Sequence, residues 1–357
     1  MIVYITNRNI FSFRCRIERI SSYIRGESLT SYNFLFTYLI MDLQQSSIRI
    51  NIYDFIQVID RATKTLENER KTGRIVGGQI SGGVVELQIP EKLVIIGDIH
   101  GDFKSFFKVL HNIDFERFLI NPNNKMIFLG DYVDRGSNSI GVLYSICYLK
   151  QKYPDSIVLM RGNHEAPIEF PFSSHDLLFK IVERYGEYWG KLAYNKKILP
   201  FFRLLTLITL IKNRLLIVHG GLPTEDIGLT GDFRRSIAIA QENCVYNRTM
   251  EEILWNDPRP QILDKKRDWD YSRRGIGRAF GINVTKKWLN MSETKVVVRG
   301  HEPCRGFKID HNGMIMTLFS CREAYPNFEA AYISISGEQL QSIHSSVDLS
   351  HYVIKIC

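Results

Sequence analysis

The spacing of apolar and polar residues changes several times along the chain, and each change predicts a different element. From Asp54 to Glu69 apolar residues recur at three- and four-residue intervals, which predicts an amphipathic helix. The segment from Arg74 to Ile89 is interrupted by two glycine pairs, Gly77-Gly78 and Gly82-Gly83, and predicts a hairpin that bends at those pairs. Residues 1–40 show no sustained period, so the first regular elements are expected after them.

Downstream, short apolar runs alternate first with helical stretches and later with turns. The predicted strands are Leu93 to Ile96, Met126 to Leu129, Ile157 to Met160, Leu204 to Ile211, Leu215 to Val218, Lys295 to Val298, Met314 to Leu318 and Ala330 to Ile335. The predicted helices are Phe103 to Ile113, Ile140 to Gln151 and Asp176 to Tyr194. Crossover helices between the early strands and hairpins between the later ones predict an α/β sandwich of mixed sheets.

Composition narrows the class of protein. With 45% hydrophobic and 24% charged residues, the 357-residue chain can bury one large core, or two at most. The net charge of +8 favours anionic partners, but the basic residues are scattered, so nucleic-acid binding is not expected. The six cysteines lack the close spacing of zinc or redox motifs, which favours free intracellular thiols.

No membrane or export segment is predicted. Arginines interrupt the first apolar stretch before a signal-like region can form. The most apolar run, Leu204 to Val218, is cut by Lys212-Asn213-Arg214 into pieces too short to cross a bilayer. The sequence therefore predicts a cytoplasmic protein without membrane contact.

Polar residues that could bind metal ions or transfer protons follow five of the predicted strands. These strand ends carry Gly97-Asp98-Ile99-His100-Gly101, Gly130-Asp131-Tyr132-Val133-Asp134-Arg135-Gly136, Arg161-Gly162-Asn163-His164-Glu165, His219-Gly220-Gly221 and Arg299-Gly300-His301-Glu302. Because the carboxyl ends of neighbouring strands in an α/β sheet open on a shared crevice, these loops should meet at one site.

The five loops supply ligands suited to a pair of divalent cations. The candidate ligands are Asp98, His100, Asp131, Asn163, His219 and His301. A single aspartate or histidine after a strand is more often a helix cap or a solvated residue. Five such clusters, each with a metal-competent side chain, are improbable as accidents, so the set predicts a two-metal centre.

Together these segments resemble the signature series of the phosphoprotein phosphatase family, the type 1 and 2A serine/threonine phosphatases. The resemblance extends from about residue 50 to residue 336. It implies an α/β fold of the calcineurin-like metallophosphoesterase kind, with a central β-sandwich of mixed sheets flanked by helices. It also implies two transition-metal ions, for which manganese is the expected activator in vitro and iron or zinc are alternatives.

The resemblance assigns a role to each matched residue. It places Asp98 and His100 on one metal, and Asp131 as the bridge between the two metals. The second metal would be held by Asn163, His219 and His301. His164 would be the general acid, oriented by Asp134, which suits in-line attack by a metal-bridging hydroxide because the opposite leaving alkoxide needs a proton.

Substrate phosphate requires fixed positive charge, and guanidinium groups match its oxygens in two-point fashion. Arg135 and Arg274 are the candidates for this role, although Arg273 could exchange with Arg274, and a solvated basic face is the alternative for that pair. Tyr325 is a candidate for the family tyrosine over the site. The segment from Ala166 to Phe172 departs from the family's tyrosine-rich pattern, which leaves the specificity of the substrate groove open.

The predicted function is removal of phosphate from phosphoserine and phosphothreonine in proteins. Hydrolysis of small phosphate esters or diadenosine polyphosphates on the same fold is the alternative within enzymes. A catalytically silent phosphate-binding protein is the alternative from another class, but such proteins usually lose ligands and all six are present here. Phosphorylated proteins are the expected partners, and regulatory subunits are not identified by the sequence.

The resemblance divides the chain into four segments. Residues 1–40 form an extension, which is either real or an artefact of a gene model that starts upstream of Met41. Residues 41–90 supply a helix and hairpin that pack on the catalytic domain. Residues 91–336 are the catalytic domain, and residues 337–357 are a C-terminal tail.

Overall fold

A computed structural model describes residues 40–224, 233–242, 247–262 and 267–356. The chain divides into two compact units, residues 1–43 and residues 44–357. Only residues 40–43 of the first unit are described, so the predictions for the N-terminal extension lie almost entirely outside the described residues. The sheets, their cores and the predicted site all lie in the second unit.

Within this unit residues 44–49 are helical, and longer helices follow along the chain. The α-helices are α1 (Ile52–Thr72), α2 (Phe103–Asn112), α3 (Phe115–Leu119), α4 (Ser139–Lys152), α5 (Leu177–Tyr185), α6 (Glu187–Ala193), α7 (Leu199–Arg203), α8 (Phe233–Glu242), α9 (Arg248–Trp255), α10 (Ile282–Met291), α11 (Gly337–Gln341) and α12 (Ser346–Ser350). A π-helical turn, Tyr194–Ile198, joins α6 to α7.

The strands of the described residues form three sheets. They are β1 (Arg74–Ile75), β2 (Gly78–Ser81), β3 (Val84–Leu87), β4 (Lys92–Ile96), β5 (Lys125–Phe128), β6 (Ile157–Leu159), β7 (Ile208–Ile211), β8 (Leu215–Val218), β9 (Asp257–Pro258), β10 (Trp269–Tyr271), β11 (Arg278–Phe280), β12 (Val296–Arg299), β13 (Phe307–Asp310), β14 (Ile315–Leu318), β15 (Ala330–Ser336) and β16 (Val353–Ile356). The sheet orders are β1-β2-β3-β7-β8-β12-β14-β13, β16-β15-β4-β5-β6 and β10-β11-β9.

The two larger sheets share one apolar core. Side chains from β4, β5 and β15 pack there against side chains from β3, β8 and β12. Leu93 and Ile95 of β4, for example, are fully buried together with Ile217 of β8. A second core lies between the eight-stranded sheet and helices α8, α9 and α10. The predicted α/β sandwich of mixed sheets is therefore confirmed.

Local sequence explains where the main helices begin. The side chains of Asn51, Asp102 and Asn138 cap α1, α2 and α4 by accepting backbone N–H groups of the first turn. Helix α1 ends at Gly73, whose φ of 65° needs the freedom of a glycine. Asp102 follows the first predicted ligand loop directly, so its cap ties that loop to the start of α2.

Most predicted elements occur within one to three residues of their expected bounds, and the exceptions have local causes. The expected helix from Asp176 to Tyr194 is two helices, because Gly186 breaks it with a φ of 82°. Residues 204–207 were predicted as strand, but β7 begins only at Ile208 since α7 runs to Arg203 just before it. The segment expected to be a tail contains α11, α12 and β16, which pairs along β15.

The described residues bear on two further predictions, those on membrane-spanning segments and on the cysteines. Among the described residues, no helix is both long and apolar enough to cross a bilayer. Three of the cysteines are described, Cys147, Cys304 and Cys321, and all are buried free thiols.

Candidate active site

The five predicted ligand loops come from both large sheets. Strands β4, β5 and β6 run parallel in the five-stranded sheet, and β8 and β12 run parallel in the eight-stranded sheet. Their carboxyl ends lie at the same edge of the sandwich, where side chains of one sheet's loops contact those of the other. The expected convergence is present, although it joins two sheets where the sequence suggested neighbours in one.

The backbone of these loops is strained. Five residues of the predicted site have φ angles in the left-handed region: His100 at 47°, Asp131 at 52°, Asp134 at 69°, Arg135 at 67° and His301 at 72°. Such angles cost non-glycine residues free energy and persist where the surroundings impose them, which is common at functional sites.

Neighbouring glycines make room for the carboxylates. A Cβ atom on Gly300 would lie 2.2 Å from Oδ1 of Asp98, and one on Gly162 would lie 2.2 Å from Oδ1 of Asp131. No side chain fits at either position without displacing a predicted ligand. These glycines are therefore part of the site's construction.

The first predicted ligand group is compact and buried. Nε2 of His100 lies 3.9 Å from Oδ2 of Asp98 and 3.6 Å from Oδ2 of Asp131. All three residues are at most 3% exposed. The backbone N–H of His301 donates to both oxygens of Asp98, which links this group to the loop after β12.

The second predicted group also comes together. Oδ1 of Asn163 lies 3.0 Å from Nε2 of His219 and 2.9 Å from Nδ1 of His301. Nε2 of His219 is in turn 3.4 Å from Oδ1 of Asp131. The three residues are at most 6% exposed, so the amide and the imidazoles are removed from bulk water.

Two residue groups in the described part of the chain could hold a metal ion, and Asp131 belongs to both. In each group the potential ligand atoms lie within 4.8 Å of one another; the groups are His100, Asp131 and His164, and Asp131, His219 and His301. This shared position is the one that a bridging ligand requires. His164 belongs to the first group by geometry, whereas the family resemblance implies a role for it in proton transfer.

Backbone carbonyls orient two of the imidazoles. Nδ1 of His219 lies 2.9 Å from the carbonyl oxygen of Leu129, and Nδ1 of His100 lies 3.2 Å from that of Val133. If each Nδ1–H donates to its carbonyl, each Nε2 presents a lone pair to the cluster, which is the usual arrangement of metal-binding histidines.

The ionisable groups of the cluster strongly shift one another's pKa values. Burial and the adjacent Asp131 raise the pKa of Asp98 to about 6. Burial also lowers the pKa of His100 to about 3, assisted by His164. Burial alone would lower the pKa of His219, but the charge and hydrogen bond of Asp131, together with the charges of Asp98 and Glu165, raise it to about 9.

These residues fit a divalent cation pair. Burial and the repulsion from Asp131 raise the pKa of Asp98, and a cation between the two carboxylates would relieve that repulsion. Nε2 of His301 is buried and has no hydrogen-bond partner among the described residues, although such atoms are rarely left unpaired. The mixed imidazole, carboxylate and amide donors suit transition metals.

His164 and Asp134 form the pair expected for proton transfer. Nδ1 of His164 lies 2.6 Å from Oδ2 of Asp134, while its Nε2 lies 4.0 Å from Oδ2 of Asp131. Burial opposes a charge on His164, but Asp131 and the hydrogen bond to Asp134 raise its pKa above the ordinary value. The ring of Phe172 packs on His164 with centroids 4.5 Å apart.

Two of the predicted phosphate-contacting residues lie together on one side of the cluster. The ring of Tyr325 is 5.9 Å from that of His100, and the guanidinium of Arg135 lies 5.6 Å from the Tyr325 ring centroid. Burial raises the pKa of Tyr325 to about 12, so its hydroxyl keeps its proton near neutral pH. Arg135 is exposed, which leaves its charge accessible to a ligand.

Arg274 lies near His301 of the second predicted ligand group. Its Nε donates a hydrogen bond of 2.8 Å to Oδ2 of Asp257. The other oxygen of Asp257 accepts from Nη2 of Arg299. Burial is the main cause of the lowered pKa of His301, and the positive charge of Arg274 lowers this pKa further. Arg274 is thus held beside the predicted ligands, whereas no comparable anchor is seen for the exposed Arg273 within the described residues.

Sequence reasoning gave no role to two residues that organise the site. Glu165 is fully buried, and its carboxylate accepts the backbone N–H groups of Asp131, Tyr132 and Gly162, which pins the loop after β5 to the loop after β6. Its only sequence signal was its position as the last residue of the Arg161-Gly162-Asn163-His164-Glu165 motif. His175 contacts Asp134 from a segment without any recognised motif.

Comparisons with known proteins bear on the same part of the chain. Residues 91–305 match the calcineurin-like phosphoesterase family. Serine/threonine-protein phosphatase T of Schizosaccharomyces pombe is 34% identical over 246 residues, which cover 67% of this chain and 46% of that protein. Serine/threonine-protein phosphatase 5 of Rattus norvegicus is 33% identical over 279 residues, which cover 75% of this chain and 51% of that protein.

A solved protein serine/threonine phosphatase from Saccharomyces cerevisiae has a similar structure, with a TM-score of 0.60 and 25% identity over 80% of this chain and 83% of that one. The present chain spans about half the length of the two curated relatives. The family match covers more than half of the chain and includes all six predicted metal ligands. The chain belongs to the calcineurin-like phosphoesterase family.

Proposed function

We propose that this protein is a metal-dependent serine/threonine protein phosphatase. The observation that carries the proposal is the placement of the His164 and Asp134 pair against a buried cluster able to hold two metal ions. The relatives described above are named as serine/threonine phosphatases, which supports a phosphoprotein substrate.

Two divalent cations bound at this site would supply the attacking nucleophile from water and neutralise the charge of the phosphate group. Asp98 and His100 would hold one cation, and Asn163, His219 and His301 the other, with Asp131 between them. The donor set favours manganese as the activator in vitro, with iron or zinc as alternatives.

The remaining site residues would bind phosphate and move a proton. Arg135 lies over the ring of Tyr325 and Arg274 is bonded to Asp257, and from these positions their guanidinium groups would hold phosphoryl oxygens. Tyr325 would add a neutral hydroxyl donor beside Arg135. Nε2 of His164 would deliver its proton to the departing serine or threonine oxygen, and the hydrogen bond to Asp134 would keep the ring turned for this transfer.

Turnover of substrates from the two enzyme classes tests the proposal. The manganese-loaded protein is expected to hydrolyse a phosphoserine peptide and a phosphothreonine peptide with a much higher kcat/KM than diadenosine tetraphosphate. A preference for the dinucleotide would overturn the protein-phosphatase assignment in favour of small-ester hydrolysis. Binding of the phosphopeptide without turnover at any metal loading would indicate a silent phosphate-binding protein.

A further inference from the structure

His175 occupies a position that the chemistry above does not use. Nδ1 of His175 lies 2.9 Å from Oδ2 of Asp134, the same oxygen that accepts from His164. The side chain is 13% exposed, whereas the Asp134 side chain is fully buried. One carboxylate oxygen is therefore placed between two imidazole rings.

The far side of His175 is also occupied. Its Nε2 lies 2.6 Å from the hydroxyl oxygen of Tyr194. Burial raises the pKa of Tyr194 above its ordinary value, so the hydroxyl stays protonated and can donate to Nε2. A neutral His175 that accepts at Nε2 must carry its proton on Nδ1, which is the tautomer that donates to Asp134.

Tyr194 takes this position because of an irregularity in the helices. It is the first residue of the π-helical turn between α6 and α7, and such turns frequently occur at functional sites. The hydroxyl thus sets the tautomer of His175 from an element more than a dozen residues away in sequence. The connected groups run from Tyr194 through His175 and Asp134 to His164.

The other oxygen of Asp134 is held by the same segment. Oδ1 accepts hydrogen bonds from the backbone N–H groups of Asp176 and Leu177, where α5 begins, and both distances are 2.9 Å. Burial raises the pKa of Asp134, but the hydrogen bonds from His164 and His175 lower it below its usual range overall. Residues 175–177 therefore form hydrogen bonds with both oxygens of the Asp134 carboxylate.

We propose that His175, held by Tyr194, is a positioning residue that fixes the carboxylate of Asp134 and through it the ring of the proton donor His164. This inference rests on the proposed phosphatase activity. His175 does not touch the substrate phosphate in this assignment. Its effect should appear only where the reaction depends on an oriented proton donor, since it acts through Asp134 alone.

Two substitutions at position 175 separate this role from simple loss of packing. His175→Ala removes the donor to Asp134, whereas the side-chain amide of His175→Asn can replace the Nδ1–H at similar reach. We expect His175→Ala to lower kcat on a phosphoserine peptide by about tenfold with little change in KM. Its kcat on p-nitrophenyl phosphate should change much less, because that leaving group needs no proton. His175→Asn should restore most of the peptide activity.

A double-mutant cycle tests the route through Asp134. In the background of Asp134→Asn, adding His175→Ala should cause little further loss on the phosphopeptide, because the carboxylate that His175 holds is already gone. Tyr194→Phe should reproduce a weaker form of the His175→Ala defect, since His175 remains but its tautomer is no longer set.

Three results would overturn the inference: an equal loss on both substrates, full additivity of the two substitutions, or no loss at all in a folded His175→Ala protein. Thermal melting and metal content of each variant show whether the fold and the cluster are intact. Failure of the phosphatase proposal is distinguishable, because the unsubstituted protein would then fail to hydrolyse the phosphopeptide before any variant is made.

Discussion

At the residue scale, the orientation of His164 gives the sharpest test of the chemistry. Nδ1 of its ring is committed to Asp134, and Nε2 is directed toward the cluster that contains Asp131. A ring held in this way can release a proton from Nε2 only. The dependence of the rate on the leaving group therefore reports whether the ring acts as a proton donor.

We expect His164→Ala to slow hydrolysis of a phosphoserine peptide by about two to four orders of magnitude. The alkoxide of serine is a poor leaving group, whereas p-nitrophenolate is stable near neutral pH, so p-nitrophenyl phosphate should be affected much less. His219→Ala is the control, and it should damage both reactions alike through loss of metal. Equal loss on both substrates in His164→Ala, with metal content intact, would assign this residue to phosphate positioning.

Substitutions of Asp131 and Arg274 should have different effects on metal content and phosphate binding. Asp131 belongs to both potential metal-binding groups, so Asp131→Asn is expected to lose metal and activity together. Arg274 is hydrogen-bonded to Asp257, which is not a predicted ligand, so Arg274→Ala should keep its metal and raise KM or the inhibition constant of inorganic phosphate. Elemental analysis of both variants checks this, and equal metal occupancy would contradict the bridging role of Asp131.

Residue identity and strand-end position were enough to nominate the predicted ligands, since few side chains bind metals and few places in the fold gather them. The partners that orient these ligands were not predictable. The bond from His219 to the carbonyl of Leu129 joins residues 90 positions apart, and the contact of His175 with Asp134 spans 41. Neither contact leaves a pattern in the sequence.

At the scale of elements, a buried ion pair joins α1 to α4. Nζ of Lys150 lies 2.5 Å from Oε1 of Glu69 and also donates to the carbonyls of Pro154 and Ile157. The lysine side chain is 1% exposed and the glutamate side chain 12%. A lysine buried to this degree depends on its partner charge.

We expect Glu69→Ala to destabilise the protein by about 3–5 kcal/mol, because the charge of Lys150 would remain buried without a counterion. The free energy of unfolding from urea titration measures the effect. Glu187→Ala is the matched control, since it removes the exposed i,i+4 pair with Lys191 and should leave stability nearly unchanged. A loss for Glu69→Ala no larger than that of the control would show that α1 docks without this pair.

The helices and strands were predicted well where a strong apolar period coincided with a local stop signal. Helix α2, for example, was expected from Phe103 to Ile113 and occurs as Phe103–Asn112. Strand β16 was missed because its burial pattern shows a single buried residue, Ile356, and because it lies at the edge of the five-stranded sheet, where it pairs with β15 alone. Edge strands of this kind carry little periodic signal.

At the scale of the whole molecule, the predicted metal centre joins the two halves of the sandwich. Asp98, His100 and Asp131 belong to loops of the five-stranded sheet, and His219 and His301 to loops of the eight-stranded sheet. Cations bound there would link both sheets at their carboxyl edge. Metal binding should consequently affect stability as well as activity.

Exhaustive chelation is expected to abolish turnover and lower the melting temperature, and manganese should restore both. At one hundred times its dissociation constant a bound metal adds about 2.7 kcal/mol to the free energy of unfolding. Magnesium should restore much less, because the three imidazoles of the predicted ligand set suit transition metals. Full activity with magnesium alone after chelation would contradict the assignment, and calorimetry with each metal provides the stability measurement.

The sequence alone determined the fold class, the order of most elements and the residues nominated as ligands. These properties follow from local rules: periodicity selects helix or strand, caps and glycines set the boundaries, and side-chain chemistry restricts which residues can bind metal or transfer a proton. The sequence also carried the family resemblance, because each signature segment is a short contiguous stretch of chain.

Only the tertiary structure decided how the nominated residues are arranged. It placed the five loops on two sheets, set His164 and His175 on one oxygen of Asp134, and held Arg274 against Asp257. Each of these contacts depends on the three-dimensional path of strands far apart in sequence. Hydrogen-bond geometry and burial at such contacts arise from the packing of the complete sandwich, which no local pattern of residues encodes.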